Sequence, residues 1–182
     1  MQSLLILKME RAVSIIRESF SSKRKVLVFS IFNRMSDLLK MADDTFKEVY
    51  WGEINGNTEQ EDRQKIIDEF SDYDGNALLV LNPKAAGAGL NITAATVVIH
   101  MTPNWNPALE AQASARAHRR GQKFPVSIYR LFYRDTVEDV MIGRSDWKNA
   151  MGNEITPTGI RDKNDLQRML EYGPGETDDL KI

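Results

Sequence analysis

Short apolar runs alternate with amphipathic stretches along most of the chain. The run KVLVFS is apolar on both faces, as strands buried inside a parallel sheet are. Together the runs predict five strands, over residues 25–30, 46–51, 77–81, 96–101 and 126–132. Between them, apolar residues recur at three- and four-residue intervals, beginning with Leu5, Met9 and Val13, and predict helices. Strands that alternate with helices predict a three-layer α/β fold, with a mainly parallel sheet flanked by helices.

Polar residues and glycines mark the predicted ends of the helices. Two capping-box patterns, Thr58 with Glu61 and Thr136 with Asp139, indicate helix starts. The pattern as a whole predicts helices over residues 5–16, 33–41, 58–70, 107–121, 136–151 and 162–172.

The stretch NWNPALEAQASARAHRRGQ is the most informative part of the chain. Its second asparagine can cap a helix, the proline fits the first turn, and the glycine can end the helix. Helical spacing would place Gln112, Arg116 and Arg119 on one face. Arginine stays charged and donates hydrogen bonds in a fixed fork, so two arginines beside an amide suit a phosphate. A solvated basic face is the alternative for an arbitrary arginine pair.

Composition narrows the class of protein. The chain has 182 residues, of which 42% are hydrophobic and 27% charged, as expected for one globular domain of ordinary size. It has no cysteine, which excludes disulfides and cysteine-based metal sites, and its two histidines make a zinc site improbable. No apolar run reaches the ~18 residues of a membrane span, and the start of the chain predicts a helix rather than a signal peptide.

The charge is unevenly distributed. The net charge is −2. Residues 75–134 contain seven Lys or Arg and one acidic residue, which makes this window +6 and the remainder of the chain −8. The basic surplus coincides with the two arginines, so we expect a polyanionic partner there, either nucleotide phosphates or a nucleic-acid backbone.

Several segments, in order, resemble the motifs of one family. They are KVLVFSIFNRMSDLL (25–39), INGNTEQEDRQKIIDEFS (54–71), NPKAAGAGLNITAATVVIH (82–100), QASARAHRRGQ (112–122) and PVSIYRLFYRDTVEDVM (125–141). They resemble motifs IV, IVa, V and VI, and the segment after motif VI, of the Swi/Snf family of superfamily-two helicase-like ATPases. The resemblance implies that residues 1–152 form the second, C-terminal RecA-like lobe of such an enzyme. Residues 153–182 are predicted to form a C-terminal helix and an acidic tail.

The resemblance also implies roles for individual residues. Arg116 and Arg119 would be catalytic, as arginine fingers that stabilise charge on the transferring phosphoryl group. Gln112 would orient the nucleotide or bridge to the other lobe. Gly87 and Gly89 lie in the motif V loop and are expected at the nucleotide-binding side of the site.

Nucleic-acid contacts are expected from the same loop and from one helix. Lys84, Asn91 and Thr93 are the candidates in the motif V loop. Arg63 matches a family arginine in the motif IVa helix, where a surface residue or a local ion pair is an equal alternative. The family usually has adjacent glycines where this chain has alanine followed by Gly87.

ATP and Mg²⁺ are expected to bind mainly outside this chain. A phosphate-binding loop would read G-x-x-x-x-G-K-[ST], and none of the eleven glycines is followed by lysine. We therefore expect an N-terminal ATPase lobe as a partner, double-stranded DNA as the nucleic acid, and no useful ATP hydrolysis by this chain alone. The expected state is a cytoplasmic monomer of a bacterial or viral protein, or a nuclear one if the protein is eukaryotic.

Three other interpretations remain open on sequence alone. The chain could be a lobe of an RNA helicase or of a strand-separating DNA helicase. It could be a catalytically inactive nucleic-acid-binding module that kept the RecA-like fold. A Rossmann-like domain of unrelated function is the third, although position 92 is isoleucine and breaks the dinucleotide G-x-G-x-x-G pattern.

Overall fold

The computed structural model describes residues 2–42, 46, 48–85, 89–119 and 122–150, and the side chains of residues 6–143 within these ranges. The described elements are α1 (Gln2–Ser21), β1 (Lys25–Phe29), α2 (Met35–Ala42), β2 (Tyr50–Ile54), α3 (Gln60–Asp72), β3 (Ala77–Leu81), β4 (Ala95–His100), α4 (Pro107–Ser114), β5 (Ser127–Arg130) and α5 (Val137–Ala150). The predicted helix at 162–172 and the predicted boundary after residue 152 lie outside the described residues.

The chain forms two compact units. The first comprises residues 2–102 and 108–131 and contains all five described strands. The second comprises residues 103–107 and the chain from residue 132, and its described helix is α5. None of the helices in the described part of the chain is long and apolar enough to cross a membrane.

The five strands form one sheet in the order β2-β3-β1-β4-β5. Every neighbouring pair is parallel; for example, Val28 of β1 lies opposite Val80 of β3 on one side and Ile99 of β4 on the other. The predicted parallel α/β fold is therefore confirmed. Because the strands are parallel, their carboxyl ends meet at one edge of the sheet, where ligands of open α/β sheets bind.

Alternate residues of the central strands lie in two separate apolar layers. Val26 and Val28 face one cluster, which contains Ile16 of α1 and Leu39 of α2. Leu27 and Phe29 face the other, together with apolar residues of α3 and α4. Both faces of the central strands are thus covered by helices, as their uniformly apolar sequence predicts, and the three-layer architecture is confirmed.

The second strand begins later than predicted. It covers Tyr50–Ile54, whereas the apolar pattern predicted residues 46–51. Phe46 is buried outside the strand, where its ring packs against Phe20 of α1 at 5.6 Å between centroids. An apolar residue that supplies the core from a turn therefore misled the strand prediction.

The two predicted capping boxes differ in outcome. Helix α3 has Glu59 at its N-cap without a side-chain cap, so the predicted Thr58 box is wrong. The Thr58 hydroxyl instead accepts a hydrogen bond from Asn55 N at 3.1 Å and closes the preceding turn. At α5 the Thr136 cap is confirmed, because its hydroxyl accepts a hydrogen bond from Glu138 N at 3.2 Å, whereas the Asp139 carboxylate accepts from Asp135 N at 3.3 Å instead of completing the box.

Candidate functional site

Helix α4 carries Gln112, which is exposed, and ends at Ser114, before both arginines. The predicted continuation of this helix to residue 121 is wrong, and so is the prediction that Gln112 shares one helical face with Arg116 and Arg119. The helical bonding is interrupted beyond Ser114, because Arg116 N donates to Ala113 O at 3.2 Å and Ala117 N to Ser114 O at 3.1 Å, each three residues back. The alanine-rich composition favoured a longer helix than the chain forms.

Residues 115–119 form a series of turns, which we call the arginine turn. Its backbone is held from outside, because the carbonyl of Arg116 accepts a hydrogen bond from Ile92 N at 3.0 Å. The helical ladder breaks at Arg116 N, which bonds to Ala113 O instead of Gln112 O, and the bond from Ile92 N then holds the turn that follows α4. The same bond joins the arginine turn to the loop between β3 and β4.

The two arginines of the turn differ in exposure and interact electrostatically. Arg119 is exposed, whereas Arg116 is half-buried. Burial, and secondarily the positive charge of Arg119, lowers the pKa of Arg116. Its Nε is buried and has no hydrogen-bond partner within the described residues. A buried donor without an acceptor is costly, and two nearby cations repel each other, so an anion bound at the turn would relieve both penalties.

Gln122 ties the arginine turn to the end of the same loop. Its side-chain Nε2 donates to Thr93 O at 2.9 Å, to Ala117 O at 3.1 Å and to Ala95 O at 3.2 Å. The motif resemblance included this glutamine, but no site role was predicted for it. A single amide that bonds to backbone carbonyls of two segments leaves no periodic signal in the sequence.

The loop between β3 and β4 presents several of the predicted contact residues. Lys84 and Asn91 are exposed, and Thr93 is half-buried, with its carbonyl bound to Gln122. Gly89 is exposed at φ +107°, a conformation that glycine adopts far more readily than other residues. Gly87 lies outside the described residues.

Arg63 of α3 braces the start of this loop. Its Nη1 donates to Ala85 O at 2.9 Å, and its Nε donates to Thr58 O at 3.0 Å. These local bonds hold the loop against α3. They use two of the five guanidinium N–H donors, so the predicted contact of Arg63 with nucleic acid stays a prediction.

A buried polar pair lies between the sheet and the end of α4. His100, the last residue of β4, places its Nε2 2.8 Å from the Ser114 Oγ, and its ring stacks on Phe29 at 5.0 Å between centroids. Burial lowers the pKa of His100 to about 4, with a further contribution from the charge of Arg130. The imidazole is therefore neutral near pH 7. Arg130 itself lies 3.6 Å from a carboxylate oxygen of Glu110.

The described side chains include no cluster of three or more His, Asp or Glu residues that could hold a metal ion. The groups suited to a ligand are cationic and amide donors. They sit at the arginine turn and along the loop that Ile92 and Gln122 connect to it. This arrangement can bind phosphate groups.

Comparison with known protein families gives an independent result. The profile of the helicase conserved C-terminal domain matches residues 7–121, which is more than half of the chain. The matched segment includes the first four strands, α4 and the arginine turn.

Similar curated proteins are ATP-dependent helicases and remodelling ATPases. An uncharacterised ATP-dependent helicase of Mycoplasma pneumoniae is 40% identical over 134 residues, which are 72% of this chain and 13% of that protein. The chromatin-remodelling ATPase INO80 of Emericella nidulans is 33% identical over 152 residues, which are 84% of this chain and 9% of that protein. The chain thus spans about a tenth of the length of these relatives.

Solved structures agree on the fold. The C-terminal part of the Fun30 ATPase domain superposes with a TM-score of 0.73 at 27% identity, over 91% of this chain and 52% of that one. The Sulfolobus solfataricus SWI2/SNF2 ATPase core, solved in complex with double-stranded DNA, superposes with a TM-score of 0.60 at 28% identity, over 79% of this chain and 30% of that one.

Proposed function

The chain belongs to the helicase C-terminal domain family as a lobe of the Swi/Snf type, and from this premise we propose that it is the second lobe of an ATP-dependent double-stranded DNA translocase. ATP and Mg²⁺ bind mainly to an N-terminal ATPase lobe of the same protein. This lobe supplies arginine fingers to that ATP and contacts the DNA backbone. Closure of the two lobes on ATP, and opening after hydrolysis, moves this lobe along the duplex.

The arginine turn is the observation that carries the catalytic part of the proposal. Arg119 is exposed, and Arg116 has a buried Nε with no acceptor in the described chain. Charge builds up on the phosphoryl oxygens during transfer, and a guanidinium placed beside them stabilises the transition state more than the ground state. Arg119 contacts the γ-phosphate, and Arg116 makes the supporting contact. Gln112 orients the nucleotide from the last turns of α4.

The loop between β3 and β4 supports the nucleic-acid part. Lys84 and Asn91 are exposed there, and Thr93 is bonded through Gln122 to the arginine turn. Phosphate contacts of this kind are independent of base sequence, which suits a protein that moves along DNA. The choice of duplex DNA is supported by the relative solved with double-stranded DNA.

The test of the enzymatic role is ATP hydrolysis by the protein encoded by the complete reading frame, measured with duplex DNA, single-stranded DNA and RNA. We expect the strongest stimulation by duplex DNA, and its loss in Arg119→Ala. The exposed Arg134 provides the matched control, since Arg134→Ala removes the same charge outside the arginine turn. Stimulation by RNA or single strands alone would favour a helicase, and no hydrolysis under any condition would favour an inactive binding module.

The test of the DNA contacts is the salt dependence of duplex binding. Each phosphate contact contributes about 0.9 to the slope of log K against log salt concentration. Lys84→Ala should therefore weaken binding at all sequences alike and reduce the slope by about one. Lys65→Ala removes another exposed lysine, from α3, and should leave the slope unchanged. An unchanged slope in Lys84→Ala would remove this residue from the proposed interface.

A further inference from the structure

We propose that His100 and Ser114 act as positioning residues that hold the arginine turn in its working geometry; this inference rests on the proposed function of that turn. The pair is buried, connects the sheet to the end of α4, and touches neither arginine side chain in the contacts that define it. The pair would therefore affect catalysis only by setting the backbone position of the arginine turn.

His100 is a fixed point of the sheet. Its backbone carbonyl accepts a hydrogen bond from Leu131 N at 2.9 Å, and its ring stacks on Phe29 at an interplanar angle of 14°. Both neighbours belong to the same compact unit as the arginine turn. The stacking fixes the plane of the ring, and the contact of Nε2 with the Ser114 hydroxyl fixes which ring edge faces α4.

Ser114 transmits this position to the turn. Its hydroxyl bonds to His100 Nε2 at 2.8 Å, and its carbonyl accepts hydrogen bonds from Ala117 N at 3.1 Å and His118 N at 3.0 Å. One residue therefore joins the sheet to two of the peptide groups between Arg116 and Arg119. The neutral imidazole suits this role, because a protonated imidazole would be repelled by the charge of Arg130.

Loss of the bond would leave a buried polar atom unsatisfied and free the end of α4. Small displacements of a catalytic group are costly, since a misplacement of about 1 Å can lower a rate by roughly a hundredfold. If the bond served stability alone, its loss would lower the free energy of unfolding without changing the rate of the chemical step. The two roles can therefore be separated by experiment.

The experiment measures kcat and KM for ATP with saturating duplex DNA, on the protein encoded by the complete reading frame. The disruptive variants are Ser114→Ala and His100→Phe, of which the second keeps a ring against Phe29. We expect each to lower kcat roughly ten- to a hundredfold with little change in KM. The double variant should be no slower than the single ones, because both break the same bond. The conservative variants Ser114→Thr and His100→Gln should restore most of kcat.

The matched control is Ser19→Ala in α1. Ser19 is as buried as Ser114, and its hydroxyl donates to Ile15 O at 2.6 Å, but it lies outside the arginine turn. Removal of the Ser19 hydroxyl should change the midpoint temperature of thermal unfolding and leave kcat unchanged. The proposal is overturned if folded Ser114→Ala or His100→Phe protein keeps the unaltered kcat, or if Ser19→Ala lowers kcat equally.

Arg119→Ala separates this inference from the function on which it rests. If Arg119→Ala hydrolyses ATP at the unaltered rate, the proposed finger role fails. If Arg119→Ala is inactive while the Ser114 and His100 variants are fully active, the finger role stands and the positioning role is refuted.

Discussion

The buried neutral histidine makes a quantitative prediction about stability and pH. His100 has an ordinary pKa of 6.5 when the chain is unfolded, whereas burial in the folded chain lowers the pKa to about 4. Between these two values the unfolded chain binds a proton that the folded chain does not. The free energy of unfolding must therefore fall as the pH is lowered from about 6.5 towards 4, and His100 has no effect at higher pH, where it is neutral in both states.

The size of the effect follows from the difference between the two pKa values. The full difference corresponds to roughly 3 kcal/mol, since one pKa unit corresponds to about 1.4 kcal/mol. At pH 5 most unfolded histidine is protonated while most folded His100 is still neutral, and the loss relative to pH 8 is about 2 kcal/mol. Because His100 is 4% exposed, solvent screening does little to reduce this contribution.

The measurement is urea-induced unfolding at pH 8 and pH 5, for the unaltered chain and for His100→Gln. Carboxylates contribute to the pH dependence of both proteins, so the difference between the two isolates His100. We expect the unaltered chain to lose about 2 kcal/mol more than His100→Gln over this range. The second histidine, His118, is exposed and is common to both proteins. Equal pH dependence in the two proteins would refute the assignment of a buried neutral imidazole.

Two further predictions concern packing and helix capping. Gly52→Ala should destabilise the chain by about 1–3 kcal/mol in urea unfolding, because an added Cβ would lie 2.8 Å from the buried Leu79 Cδ1. Gly56→Ala is the control, since no described atom lies within 4 Å of its added Cβ, and equal losses in both would contradict the steric explanation. Thr136→Ala should lower the stability of the second compact unit, which contains α5, by about 1 kcal/mol in thermal unfolding. Thr136→Ser keeps the capping hydroxyl and should keep this stability. An unchanged transition in Thr136→Ala would show that the cap contributes nothing.

Much of the fold could be predicted because its central strands are buried on both faces. Five-residue apolar runs such as Ala77–Leu81 are apolar at every position, and burial of this strand is complete. The errors arose where a residue outside a regular element supplies the core or closes a turn. Phe46 packs from a turn, and Thr58 closes the turn before α3 instead of capping the helix.

The candidate site was less predictable because its geometry depends on contacts between distant segments. Local composition favoured a helix through both arginines, but the chain leaves the helix after Ser114, and the bond from Ile92 N to Arg116 O holds the turn that follows. The contacts of Gln122 and His100 likewise join residues far apart in the chain. Propensity and periodicity describe neighbours along the chain, so such bonds leave no trace in them. The functional assignments of the site residues stay predictions.

The most direct test of the central claim is the rate of a single ATP turnover on the protein encoded by the complete reading frame, with bound ATP and saturating duplex DNA. This measurement isolates the chemical step from binding and product release. The account predicts that Arg119→Ala binds ATP and DNA normally and hydrolyses the bound ATP roughly 10³- to 10⁵-fold more slowly. Hydrolysis by Arg119→Ala at the unaltered rate would contradict it.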